Sequence, residues 1–87
     1  MTFQPDKVVQ FKTAFEERRQ LIGGFKGCDG VMLIQDISDA RIFFTISTWK
    51  GEEHLENYRT SELFTSTWAL VKPWFAAKAE AWSTSEV

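Results

Sequence analysis

Apolar positions near the start of the chain recur at helical intervals. Val8, Phe11, Phe15 and Ile22 share one stripe while Glu16, Glu17, Arg18 and Arg19 lie towards solvent, which predicts an amphipathic helix over residues 5–22. Pro5 and Asp6 suit its first turn, where proline's missing donor goes unused and a carboxylate meets the positive end of the helix dipole. Gly23 and Gly24 are expected to close it with a left-handed residue past the last turn.

The pattern then changes period. Residues 31–37 and 41–49 are strand-length runs rich in β-branched and aromatic side chains, joined by the short polar stretch Ser38-Asp39-Ala40, and together they predict a β-hairpin. Alternation places Ile42, Phe44 and Ile46 on one face of the second strand and Phe43, Thr45, Ser47 and Trp49 on the other. Both faces are substantially apolar, whereas a sheet with one wet face alternates more cleanly. Something must cover each side. Helices of an α+β domain usually share one face, so a second copy of the chain is expected on the other, giving a homodimer packed sheet against sheet.

A second helix is expected from Glu52-Glu53, whose charges favour a helix start. Leu55 and Tyr58 lie one turn apart; Phe64, Trp68, Val71 and Phe75 follow at helical spacing beside Leu63, Leu70 and Trp74. Thr60-Ser61 is a point of breakage or re-capping, and Pro73 kinks or ends the helix because it removes a backbone donor. A last strand is expected over residues 79–85, which include Trp82.

Composition narrows the field. Eighty-seven residues make one domain, residues 1–87. A net charge of −2, with ten basic and twelve acidic residues scattered along the chain, gives no basic stripe for nucleic acid. No apolar run approaches a membrane span, and the N-terminus lacks a signal-peptide pattern. Cys28 is the single cysteine, so no internal disulfide forms, no metal-ligand cluster is evident, and a reducing cytoplasm is the expected compartment. The aromatic share is high, with eight Phe, four Trp and one Tyr. In so small a domain such rings build a core efficiently, and they can also line a pocket for a flat ligand.

The order helix, hairpin, helix, strand lacks only a leading strand to be a ferredoxin-like βαββαβ domain. Within it, Gly27-Cys28-Asp29-Gly30 leads into the hairpin and Phe43-Phe44-Thr45-Ile46-Ser47-Thr48-Trp49 ends it. Glu52-Glu53 and Leu55-Glu56-Asn57-Tyr58-Arg59 then precede Ser61-Glu62-Leu63-Phe64. This pattern, over residues 5–83, resembles the antibiotic biosynthesis monooxygenase (ABM) family of small dimeric α/β barrels. The resemblance implies an α+β, ferredoxin-like fold and a dimer. One departure is immediate: only Met1-Thr2-Phe3 stands where the family's first strand belongs, so a truncated first strand, or a start further upstream, is expected.

The resemblance also implies a chemistry. Family members that oxygenate polycyclic phenols use neither metal nor flavin, since the substrate itself is electron-rich. Their pocket binds a flat ring system, favours its ionised form and excludes water. A strand-end Trp, with Asn four residues earlier and Tyr six residues later, is associated with it. Trp49 matches the Trp; Thr45 stands at the Asn position and keeps a hydroxyl; Leu55 replaces the Tyr, with Tyr58 one helical turn further on. Trp49, Tyr58 and Thr45 are therefore the candidate catalytic residues. A haem-degrading branch carries a Trp nine residues after the strand-end Trp and a haem-ligating His ten residues beyond. Tyr58 and Trp68 stand at those positions, and indole does not ligate iron as imidazole does, so haem is not expected.

The remaining candidates are auxiliary. His54, the only histidine, suits proton transfer near neutral pH but sits at a helix start where a surface role is commoner. Arg59 could anchor an anionic group, or pair with Glu62 three residues on. Phe43 and Trp68 complete the candidate substrate-binding set, Trp68 being otherwise a core residue. Cys28, beside Asp29, reads as a packed thiol. The expectation is a cofactor-independent monooxygenase acting on a small aromatic or carbonyl metabolite in a homodimer. The alternative is a non-catalytic ligand-binding or stress-related dimer of the same fold.

Overall fold

The computed structural model describes residues 1–85 and 87. A 3₁₀ turn at Pro5–Lys7 leads into α1, Val8–Gly23; strands β1, Cys28–Gln35, and β2, Phe43–Trp49, form the hairpin; α2, Glu52–Arg59, and α3, Glu62–Val71, follow. A closing 3₁₀ turn covers Lys72–Trp74. β1 and β2 pair antiparallel, and two isolated antiparallel bridges, Thr2 with Ile42 and Phe3 with Phe75, extend the sheet. The order across it is therefore Phe75, Thr2–Phe3, β2, β1, the ferredoxin-like arrangement with its first and last strands reduced to bridges.

The hairpin forms where the pattern predicts, with different limits. β1 begins three residues earlier than Val31 and stops at Gln35, so Ile37 lies in the turn, fully exposed. Asp36 dictates this: its carboxylate accepts from the backbone N–H groups of Ser38 and Asp39 at 3.0 and 2.8 Å, bending the chain out of the ladder. Asp39 repeats the device with Arg41, accepting from its backbone N–H and its guanidinium. The last strand expected over 79–85 is absent: pairing stops after the N–H of Ala76 donates to Thr2 at 2.8 Å, and residues 77–85 carry no helix or strand. The alanine-rich stretch 76–81 has weak strand propensity.

α1 ends differently from expectation as well. Gly24 caps it in a right-handed conformation, with φ −88°, and the one left-handed residue among those described is Gly27, at φ +87°. The second helix is broken into α2 and α3. Ser61 is the N-cap of α3 and accepts from the N–H of Phe64 at 3.2 Å, while its own hydroxyl donates to the carbonyl of Tyr58 at 2.6 Å. That break puts Arg59 and Glu62 on different helices, and among the described residues they form no ion pair.

The core is a nest of phenylalanines. Phe3 is wholly buried and stacks on Phe11 at 4.0 Å between ring centres, with Phe75 at 5.1 Å and Phe43 at 5.9 Å. Phe15 and Val71 complete this cluster, against which Val31 and Leu33 of β1 pack. α1 meets α3 across Arg18, whose guanidinium donates to the hydroxyls of Ser66 at 2.9 Å and Thr67 at 3.1 Å. The other sheet face is bare: Met32 and Ile34 of β1 lie opposite Ile46 and Phe44 of β2, and all four are between 43% and 51% exposed. No helix of the described residues is long and apolar enough to cross a membrane.

Candidate active site

At the far end of the hairpin from its turn, a second aromatic group assembles. A register shift between Cys28 and Gly30 sets Cys28 opposite Trp49, leaving Asp29 as the extra residue of a bulge. The carboxylate of Asp29 accepts from Lys50 Nζ at 2.6 Å, and the N–H of Lys50 donates to the carbonyl of Gly27 at 2.8 Å, so both strands are pinned where they end. α2 starts directly afterwards and carries Tyr58 back over Trp49. Their rings stack with centres 5.1 Å apart and planes 29° from parallel.

Phe25 closes the group from the loop between α1 and β1, edge-on to Tyr58 at 5.4 Å and to Trp49 at 6.3 Å. The expected site set did not include it. An aromatic residue isolated among Gly23, Gly24 and Gly27 was the available signal, since a loop of that composition has little reason to bury a ring of its own. From Tyr58 the contacts continue through Phe64 at 5.3 Å to Trp68 and Phe75, joining the site to the phenylalanine core.

The polar groups here are few. Trp49 Nε1 donates to Ser47 Oγ at 2.9 Å. Thr45 and Ser47 share the helix-facing side of β2 with Phe43 and Trp49, yet both are exposed, so the helices leave that part of the sheet open. Burial pushes the phenol of Tyr58 above its ordinary pKa of 10.0, and the charge Cys28 acquires on ionising pushes the same way. The Tyr58 phenol O–H is a hydrogen-bond donor. Among the described residues no group of three or more His, Cys, Asp or Glu side chains is placed to hold a metal ion.

The other candidates divide. His54 is half-buried rather than at the surface, and its ring packs so closely over Gly27 that a Cβ there would overlap it. Arg59 is exposed on the following turn. Phe43 is buried in the core with Phe3 and Phe11, away from Trp49. Trp68 is partly exposed and reaches Tyr58 only through Phe64. The structure therefore brings Trp49 and Tyr58 into contact, with His54 on the same face of α2 as Tyr58, and sets Phe43, Trp68 and Arg59 apart.

The antibiotic biosynthesis monooxygenase family model matches residues 1–69, from the N-terminal bridge through most of α3. The chain belongs to the ABM family. Solved structures share its fold. A candidate antibiotic biosynthesis monooxygenase from Bordetella bronchiseptica superposes with TM-score 0.89 at 23% identity, covering 100% of this chain and 90% of that one. A conserved protein from Methanosarcina mazei gives TM-score 0.85 at 20% identity, with 91% and 78% covered. A candidate antibiotic biosynthesis monooxygenase from Nitrosomonas europaea gives 0.82 at 17%, with 88% and 74% covered. No curated protein matches the chain. In this ABM domain the strand-end Trp and the following helix meet in a stack of rings.

Proposed function

We propose that this ABM protein is a homodimeric, cofactor-independent monooxygenase that binds a small flat phenol or quinol against Trp49 and Tyr58. The observation that carries the reading is the stack of the strand-end Trp49 on the ring of Tyr58. An aromatic face binds a planar ring, and a neutral phenol donates to a phenolate oxygen, favouring the electron-rich, ionised substrate. Thr45, open to solvent on the same strand face, offers a second hydroxyl. The substrate supplies all the electrons. One oxygen atom of O₂ enters a ring carbon ortho or para to the phenol oxygen and becomes a carbonyl; that carbon's one hydrogen and the phenol's O–H hydrogen leave with the other oxygen atom as water. The homodimer rests on the bare apolar face of Met32, Ile34, Phe44 and Ile46.

Oxygen uptake in metal-free buffer across a panel of quinols and naphthols tests the activity. Uptake above the uncatalysed rate, reduced at least tenfold by Trp49→Ala and by Tyr58→Phe, is expected. A rate equal to the uncatalysed one on the whole panel overturns it. One observation favours a second reading, a non-catalytic ligand-binding or stress-related dimer: Phe25, Trp49 and Tyr58 occupy the space between themselves. Saturable binding of the same compounds without uptake would select that reading.

A further inference from the structure

A cavity of about 310 Å³ lies away from Trp49 and Tyr58, between α1 and β1. Its floor is apolar, formed by Phe15 and Phe43 of the core with Leu33 beside them. Its rim is charged. Lys12, Phe15, Glu16 and Arg19 lie at i, i+3, i+4 and i+7, one stripe of α1, and face Ile34 and Gln35 of β1. β1 is the outer strand of the described sheet, so the cleft opens past its free edge.

The charges at this rim are not used up internally. Lys12 enters no ion pair among the described residues, and its Nζ stands 5.8 Å from the centre of the Phe43 ring, poised over the apolar floor. Arg19 meets Glu16 at a single 3.8 Å contact, with both side chains about half or more exposed, which is the weakest class of pairing. The guanidinium keeps further donors in a planar fork that matches a carboxylate. A volume of this size stands at the small end of ligand pockets, enough for one or two fused rings.

We propose that this cleft is a second ligand site, for a small aromatic carboxylate, separate from Trp49 and Tyr58. The ring lies against the partly exposed Leu33, above the buried Phe15 and Phe43, and the carboxylate sits between Lys12 and Arg19. Glu16 opposes it and sets a limit on affinity. The site is independent of the oxygenase reading: it would persist in a protein that turns nothing over.

The test is a titration of the ¹⁵N-labelled protein with 1-naphthoate, followed by amide chemical shifts. Saturable shifts at Lys12, Phe15, Glu16, Leu33, Ile34 and Gln35 are expected. Lys12→Met with Arg19→Met should weaken binding about tenfold or more, since hydrogen bonds to charged groups are lost, while Glu16→Gln should tighten it. All three positions are exposed, so circular dichroism should show the folded state unchanged. The proposal is overturned by shifts centred on Trp49 and Tyr58 or on the Met32–Phe44 face, by no saturation at millimolar ligand, by undiminished binding in the double variant, or by equal binding of the neutral 1-naphthalenemethanol. A failed oxygen assay bears on Trp49 and Tyr58 alone.

Discussion

The indole of Trp49 and the phenol of Tyr58 stack 5.1 Å apart, strand end against helix, and burial of the phenol raises its pKa. Tyr58 is the only tyrosine in the chain, so tyrosinate absorbance near 295 nm reports it alone. Its midpoint should lie above the ordinary 10.0. The folded state binds this proton more tightly than the unfolded chain does. The resulting stability is complete below pH 10.0 and falls as pH rises from there through the folded midpoint. Cys28→Ser should move the midpoint only part of the way back, because burial is the larger cause and remains. A midpoint at or below 10.0 in the native protein would remove the buried, neutral donor.

Gly27 is required twice over. Its φ of +87° is strained for any residue with a Cβ, and that Cβ would overlap the His54 side chain. Gly27→Ala should cost about 2–4 kcal/mol in urea unfolding, as backbone strain and overpacking add. In a His54→Gly background the overlap disappears and only the backbone cost of about 1–2 kcal/mol should remain. Equal costs in the two backgrounds would mean that a shift of the chain relieves the overlap with His54 Cβ and its ring, leaving the backbone cost alone.

Where the sequence spoke in periods, the structure agrees. Residues 8–22 at helical spacing and the alternation Phe43-Phe44-Thr45-Ile46 set helix, hairpin and the two faces of the sheet, because periodicity follows directly from which side is buried. Strand and helix ends are less legible, since they depend on single hydrogen bonds: the carboxylate of Asp36 ends β1 before Ile37. The break between α2 and α3 is legible in Thr60-Ser61, and Ser61 makes it by accepting from the N–H of Phe64. Phe3 could not be recognised as the core's centre from three N-terminal residues, because its burial comes from Phe11, Phe43 and Phe75, distant in sequence. For the same reason the shared strand face groups Phe43 with Trp49, although the helices put the two in different aromatic clusters.

Phe3 should be the most sensitive position of the fold. It is enclosed by three rings and joins the bridge to Phe75 and the hairpin to α1, so Phe3→Ala opens a cavity that rigid neighbours cannot fill. A loss of about 3–5 kcal/mol is expected, a large fraction of the stability of so small a domain. Phe3→Leu should cost distinctly less. Thermal melts followed by circular dichroism measure both; a Phe3→Ala variant that melts with the wild type would move the core elsewhere.

The exposed sheet face gives the last prediction, and it concerns assembly. Met32, Ile34, Phe44 and Ile46 form two cross-strand apolar pairs that the described residues leave exposed. A contiguous apolar patch of this kind is rare on a monomer, and a second copy offers the same patch in return, which is what a two-fold interface requires. Light scattering at micromolar concentration should therefore give roughly twice the chain mass of 10.1 kDa. Phe44→Asp places a carboxylate at the centre of the proposed contact and should yield the single-chain mass, because an unpaired buried charge costs several kcal/mol. Phe44 is already 43% exposed within one chain, so the variant should keep its helix and hairpin signals by circular dichroism. A single-chain mass for the wild type would leave these four side chains without their partner, and would count against a dimer at this face.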